Sequence, residues 1–458
     1  MSPEFISWAP DRSRLTHPLY LSLAQQLESD IVSGRLSAGT RLPPQRELAD
    51  YLGINFTTVT RAYGLCRERQ LLYGVTGRGS FVSPRPGPPE VSEGRSLLEC
   101  GIVNGFDSIR RPVIEATGKV LEKGYLEQLY SYAEPAGHLH QRAAGVRWMA
   151  QLGVHTDMAH TAIFSGAQNV ISAALLSLFR LGDRIATDAF TYANLIGTAR
   201  LAHITLVPIP GDDSGMRPDE LDRACRSQTI AGIFLMPSCA NPTTITLSEE
   251  RKRDLADVIR RHDLILIEDD HDGALRPDRS APLHAALPAN TVYICGSTMS
   301  LCSGLRVTFA AFPERCRERL LDGLFHLSIK TSSLDAEIMT ELLLSGGASQ
   351  ILREKRRLAS KANAVFDSVF PDLADPALAH AFFRRLPLPD TRLDANQVER
   401  RLHEAGVNAY HSQRFAVLKQ NGPQFLRVSV SSTDGDDTLR QALEAIRKVR
   451  QTLADEPR

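Results

Sequence analysis

At 458 residues with 43% hydrophobic content, the chain is too long for one core and implies two or three domains with ample material to pack. Lysine plus arginine and aspartate plus glutamate both total 53, so net charge carries no sign of a nucleic-acid partner and any basic surface must be local. The seven cysteines, at 66, 100, 225, 239, 295, 302 and 316, show neither metal-ligand spacing nor a disulfide framework; with no apolar h-region in residues 1–12 and no bilayer-length run, the expectation is a soluble, cytoplasmic protein with reduced thiols and no membrane partner.

From the N-terminus, Leu23 to Val32 has helical apolar spacing and ends at Gly34. A second helix follows Pro43-Pro44, with Gln45 to Leu52 closing at Gly53. Asn55 to Tyr63 starts on an N-cap residue and carries small hydroxyls and an arginine on its early turns, as a recognition helix would. Leu71 to Tyr73 and Thr76 to Val82 read as two strands joined by a glycine-bearing turn, the outline of a wing. Between residues 35 and 78 stand seven arginines (35, 41, 46, 61, 67, 69, 78) against Glu47, Asp50 and Glu68, a local balance of +4. Such arginines can neutralise phosphates, although a charge cluster taken alone is more simply a solvated surface.

Ser83 to Gly94 holds four prolines and two glycines in twelve residues and reads as a linker. Beyond it, helical patterns alternate with short apolar runs, Arg184 to Thr187, Ile230 to Met236, Leu264 to Ile267 and Thr291 to Cys295, which argues for βα units around a mostly parallel sheet. From about Leu320 the pattern changes to long helices, then to an α+β ending with Phe425 to Val430 as a strand and Asp436 to Leu453 as a helix. The expected organisation is residues 12–83 as a small helical and hairpin domain, 84–97 as linker, and 98–458 as an α/β body with a smaller α+β subdomain over 320–458.

Together, Pro18-Leu-Tyr20, Gly34-x-Leu36-x-x-Gly39, Arg41-Leu-Pro-Pro-x-Arg-Glu-Leu-Ala49, Thr58-Val-x-Arg-Ala-Tyr63 and Gly77-Arg-Gly-Ser-Phe-Val82 resemble the GntR-type winged helix-turn-helix. The resemblance implies double-stranded operator DNA as partner, contacted by Arg41, Arg46, Thr57, Thr58, Arg61, Arg78 and Gly79. Gln70 departs from the family, which often has a helix-ending glycine there.

In the body, Tyr132-Ala-Glu-Pro-Ala-Gly137, Ser165-Gly-Ala-Gln168, Asp188-Ala-Phe-Thr-Tyr192, Pro237-Ser-Cys-Ala-Asn-Pro-Thr243, Ile267-Glu-Asp-Asp-His-Asp272, the loop Cys295 to Arg306 and Arg427 resemble, in order and spacing, the fold-type I aminotransferases that use pyridoxal phosphate. With the winged helix in front, the whole chain resembles the MocR/GabR-type regulators. The resemblance implies that Gly166, Ala167 and Gln168, with Ser297 and Arg306, hold a phosphate. Tyr192 would stack on a pyridine ring, Asn241 and His271 would face the ring hydroxyl, and Asp269 would pair with the pyridinium. Arg427 would take an effector carboxylate, and Tyr132 would enter from the partner of a homodimer. A buried carboxylate and two buried arginines would need opposite charges, though structural ion pairs in an emptied site would satisfy the same pattern.

Three residues depart from the enzymes. Met299 stands where they carry the Schiff-base lysine, and a thioether cannot attack an aldehyde. His271 replaces a tyrosine, and Thr244 replaces a glycine, adding bulk near the site. Of the eight lysines (119, 123, 252, 330, 355, 361, 419, 448) only Lys330 lies near enough in sequence to consider as a substitute. The expectation is a non-enzymatic transcriptional regulator sensing a small anionic effector, with pyridoxal phosphate held non-covalently if at all. A pyridoxal-phosphate aminotransferase with an appended DNA-binding domain is the alternative.

Overall fold

Three helices and a hairpin make the first unit, residues 1–96. Leu19–Val32 (α1) buries Leu23, Ala24, Leu27 and Ile31, the three-and-four spacing that lines one helix face. Gln45–Leu52 (α2) stops at Gly53, whose φ of +60° is the left-handed backbone that ends helices. Phe56–Glu68 (α3) starts on Asn55, whose side chain accepts the Thr57 amide at 2.8 Å. Leu72–Val75 (β1) and Gly79–Val82 (β2) pair antiparallel, Leu72 opposite Val82. Trp8, which no sequence pattern marked, is buried in this core and its indole N–H donates to Asp30 at 2.9 Å.

The structure, a computed structural model, describes residues 7–32, 35–37, 39–69, 71–75, 79–83, 97–106, 110–418, 422–433 and 435–455. Gly34, Gln70, Gly77, Arg78 and the proline-rich stretch therefore lie outside the described residues.

The second unit, residues 97–458, is built on a seven-stranded sheet. Its strands are Thr161–Phe164 (β3), Arg184–Asp188 (β4), Thr205–Ile209 (β5), Gly232–Leu235 (β6), Ile265–Asp270 (β7), Thr291–Cys295 (β8) and Thr308–Ala311 (β9). The spatial order is β3-β9-β8-β7-β6-β4-β5, and β9 alone runs antiparallel to its neighbours. β6 and β8 are buried at every residue, as parallel strands covered on both faces by helices must be, and the antiparallel β9 between β3 and β8 is buried throughout as well. This is an α/β fold with an N-terminal winged helix-turn-helix and an aminotransferase-like body.

Phe383–Pro387 (β10), Tyr410–His411 (β11) and Phe425–Ser429 (β12) form a second, antiparallel sheet, with β12 in the middle. Its core reaches back to the start of the unit, because Leu98–Glu99 pair with Val407–Asn408 and Cys100 packs among Val428, Leu439 and Leu443. Leu320 and Leu324, where the sequence pattern changes, pack instead against Val170, Leu175 and Leu178 over the central sheet. Helix periodicity marked the change of pattern but not which sheet the helix covers. All seven cysteines are free thiols, and six are buried. Among the described residues no helix is long and apolar enough to cross a membrane.

Candidate ligand cleft and nucleic-acid face

On the first unit, Arg41, Arg46 and Arg61 are exposed. The Arg61 guanidinium lies 4.3 Å from the Tyr20 ring centre and that of Arg46 5.7 Å from Phe56, so both are held over aromatic faces, with no ion-pair partner among the described residues. Arg35 and Arg69 are spent on ion pairs, each at 2.6 Å, with Asp30 and Glu28. Thr57 uses its hydroxyl on Asn55 at 2.8 Å, in the cap itself, while Thr58 one step on is half-buried. Gly79 has φ +112°, and a Cβ there would sit 3.4 Å from the Arg41 guanidinium.

In the second unit a cleft of about 680 Å³ opens at the carboxyl ends of the parallel strands, where such sheets place their ligand sites. Ala167, Gln168, Tyr192, Asn241, Asp269, His271, Met299, Arg306 and Arg427 all line it. Strand alternation explains which acid faces it. Glu268 and Asp270 point to the other side of β7, where Glu268 accepts the Leu283 and His284 amides at 2.8 and 2.7 Å and Asp270 accepts the Tyr293 hydroxyl at 2.5 Å and Arg279 at 2.8 Å. Asp269 between them faces the cleft with Oδ1 buried and unpartnered, and burial pushes its carboxyl up to about 6. Both ring nitrogens of His271, Oε1 of Gln168 and Nε of Arg427 are likewise buried without hydrogen-bond partners among the described residues.

Gly166, buried with φ +87°, caps the helix Ala167–Leu178, and a Cβ there would collide with the Arg306 guanidinium. Arg306 itself sits at φ +52°. It is exposed, which corrects the expectation of two buried arginines: the guanidinium reaches over a residue without a side chain at the rim of the cleft. A cation beside the positive end of a helix, with no ion-pair partner among the described residues, is an anion-seeking arrangement. Arg427 is the buried one. Its Nη1 donates to Asn241 Oδ1 at 3.1 Å and its Nη2 to the Gly101 carbonyl at 2.5 Å, and its guanidinium lies 4.7, 5.6 and 5.9 Å from the ring centres of Phe415, Tyr410 and Phe383. Burial lowers it to about 10, so it stays charged at neutral pH.

One expected member of this chain's own cleft lies elsewhere, and the residue expected to serve a partner's cleft lies on the surface. Ser297 is fully buried and donates its hydroxyl to the Val307 carbonyl at 2.7 Å, turned away from the cleft. Tyr132 is 87% exposed on the surface of the single chain. Thr244 adds no bulk to the cleft walls; it keeps the left-handed backbone a glycine would take, at φ +63°, and the cost falls on the main chain.

Sequence reasoning missed Lys355. It lies 1% exposed in the helix Gly347–Val369 and donates to the Met299 carbonyl at 2.8 Å, whereas Lys330 is bonded to Ser333 at 2.5 Å. The signal was present, since Lys355 falls on the apolar stripe Ala348, Ile351, Leu352, Ala359, Ala362. Arg414 was also missed: it lines the cleft and grips Glu399 at 2.7 and 2.5 Å. Nothing local in the sequence announces it or the Tyr410 and Phe415 rings.

A winged helix-turn-helix joined to an aminotransferase-like body with a polar cleft at its strand ends defines a class, and the comparisons agree. Residues 19–82 match the bacterial regulatory proteins of the gntR family, and residues 103–446 match aminotransferase class I and II. The HTH-type transcriptional regulator YdeF of Bacillus subtilis (strain 168) is 31% identical over 448 residues, 97% of each chain. The probable rhizopine catabolism regulatory protein MocR of Rhizobium meliloti is 25% identical, covering 76% of each chain. Among solved structures, the α-aminoadipate aminotransferase LysN of Thermus thermophilus superposes with a TM-score of 0.70 at 20% identity, covering 78% of this chain and 93% of its own. The chain belongs to the HTH-type transcriptional regulators that fuse a gntR-family domain to an aminotransferase class I and II domain.

Proposed function

We propose that the protein is a DNA-binding transcriptional regulator whose aminotransferase-like body senses a small anionic ligand held without a covalent bond. The observation that carries this reading is the set of buried, unpartnered polar atoms on Asp269, His271, Gln168 and Arg427 in one cleft whose reactive-lysine position is Met299. A folded protein leaves few such atoms unpaired, so a polar ligand is the natural partner.

Pyridoxal phosphate fits these residues. Arg306 and the free amides of Ala167 and Gln168 would hold its phosphate across the Gly166 cradle, with Ser297 supporting the loop from behind rather than touching it. Tyr192 would stack on the ring, Asp269 would accept a hydrogen bond from the pyridinium N–H, and Asn241, whose amide nitrogen stays available while its oxygen holds Arg427, would reach the ring hydroxyl with His271. Arg427 would take a carboxylate of an amino-acid adduct, and Tyr132 would complete the cleft of a homodimer partner. When bound, the cofactor supplies an aldehyde and an electron-withdrawing ring; Met299 gives this chain no amine to join to that aldehyde. Ligand occupancy would act by favouring one DNA-binding state over another. Arg41, Arg46, Thr58 and Arg61, with the wing residues Arg78 and Gly79, would face operator DNA, and Thr57 would brace the Asn55 cap of the recognition helix.

The test is Met299→Lys, which keeps an unbranched stem of similar length. With pyridoxal phosphate, the lysine variant is expected to gain a borohydride-reducible link at residue 299, found by peptide mass spectrometry, while the wild type is stabilised on heating but not modified. No link in the variant and no stabilisation of either protein would mean that the cleft serves a different ligand. Transaminase turnover by the wild type would favour the enzyme reading.

A further inference from the structure

A second cavity, of about 380 Å³, lies beside the first cleft and is walled by Phe190, Ile209, Leu235, Met236 and Phe425. The two are divided by the segment after β4: Asp188 to Phe190 face the second cavity, and Tyr192 to Asn194 face the first. Two main-chain bonds hold this partition, Thr191 N–H to the Phe415 carbonyl at 2.9 Å and Val417 N–H to the Ala189 carbonyl at 3.0 Å.

The polar group that distinguishes the second cavity is Arg385. In the small sheet it is paired directly with Arg427, and directly opposed residues of an antiparallel pair project from the same face. Two like charges placed opposite each other repel, unless each has its own compensation. Arg427 has Asn241, the Gly101 carbonyl and three rings. Arg385 lines the second cavity with its Nε buried and unpartnered, its guanidinium 5.0 Å from the Phe425 ring centre, and no ion pair among the described residues. Three carboxylates share the lining, and none is paired with Arg385: Asp212 is held by Arg251 at 2.9 Å, Asp213 is exposed to solvent, and burial pushes the Asp188 carboxyl up to about 7.

We propose that this cavity is a second ligand site, distinct from the cofactor-type cleft, for a small molecule with an apolar body and a carboxylate that pairs with Arg385. Its size falls within the range of about 300–1,000 Å³ that small-molecule sites occupy. Because Met236 lines both spaces and the partition carries Tyr192, an occupant here is placed to bias how the first cleft receives its ligand.

The experiment is calorimetric titration of the full chain with phenylacetate and octanoate, with phenylacetamide as the uncharged control. The carboxylates are expected to bind, and phenylacetamide roughly tenfold more weakly or worse. Arg385→Gln and Ile245→Trp, the second filling the cavity from a wall position, should each weaken carboxylate binding at least about tenfold. Arg385→Lys should retain part of it, and Arg427→Gln should weaken it less than Arg385→Gln does. Absence of carboxylate binding to the wild type overturns the proposal, as does undiminished binding in both Arg385→Gln and Ile245→Trp. Loss in Arg427→Gln with Arg385→Gln unaffected places the carboxylate in the first cleft and overturns it equally. Should Arg385→Gln fail to fold, Ile245→Trp decides.

Discussion

The second unit contains two buried polar clusters with opposite bookkeeping. Around Glu337, on the helix Ser333–Leu344, both carboxylate oxygens are occupied: Lys123 and Tyr125 donate to one at 2.8 and 2.7 Å, and His140 and Gln141 meet the other at 2.6 and 2.8 Å. Around Asp269, oxygens and nitrogens stand buried and unmatched. Both clusters are equally polar in composition, so residue type does not separate them. Completeness does: the satisfied cluster ties helices together, and the unsatisfied one waits for something that is not protein.

The comparison breaks most sharply at Glu337. Glu337→Ala is expected to cost about 3–5 kcal/mol in urea unfolding, because it removes the shared acceptor of Lys123, Tyr125, His140 and Gln141, although Lys123 keeps Glu341 at 3.3 Å and Gln141 keeps the Ser333 carbonyl at 3.1 Å; a loss under 1 kcal/mol would deny the cluster its structural role. Acid tests the same point. Burial alone would raise the Glu337 carboxyl, but the four hydrogen bonds outweigh it and hold the group at about 2, below its ordinary 4.5. Its contribution is therefore fully present above pH 4.5 and fades as pH falls toward 2, by about 2–3 kcal/mol, and Glu337→Gln should flatten that part of the acid-unfolding curve.

For the arginines of the winged helix the same distinction holds between charges already spoken for and charges held ready. Arg61→Ala is expected to weaken operator binding by about 1–3 kcal/mol if the side chain reads a base edge, while Arg69→Ala, which breaks the pair with Glu28, should change it by less than about 0.5 kcal/mol. Equal effects, measured by fluorescence anisotropy, would place the DNA on another face.

Asp269 sharpens the comparison in the opposite direction. Its raised carboxyl takes up a proton more readily folded than unfolded, so stability drains away as pH rises from 3.8 to about 6. Asp269→Asn should therefore stabilise the protein at pH 7 by about 1–2 kcal/mol, an advantage that disappears below pH 3.8, while abolishing stabilisation by pyridoxal phosphate. The smallest effect belongs to Thr244→Gly, expected to gain about 0.5–1 kcal/mol by relieving the left-handed threonine, with ligand binding unchanged.

Much of this was legible from local pattern. Gln45–Leu52 and Thr291–Cys295 are bounded in the structure where proline, glycine and the apolar run bound them in the sequence. Most of the cleft was legible too, through the motifs that resemble the aminotransferases: Gln168, Tyr192, Asn241 and Met299 come shortly after strands of the central sheet and Asp269 lies near the end of β7, and strand ends converge. What escaped depends on direction and distance. Ser297 was placed in the right loop but turned inward to Val307, and Arg306 was expected buried but reaches over Gly166 in the open. Lys355, fifty-six residues beyond Met299, touches it only because a long helix crosses behind the loop.

The gntR-family match begins at residue 19, yet the winged helix does not. Its core includes the Trp8 indole, and Arg12 packs its guanidinium against Gly53 in the turn between α2 and α3, where a Cβ would meet it at 3.0 Å. A fragment cut at the family boundary would thus lose a plug and a brace together, and the two helices that must present a fixed angle to DNA would be left to set that angle themselves. In this chain the helix-turn-helix is packed and braced from outside its own motif.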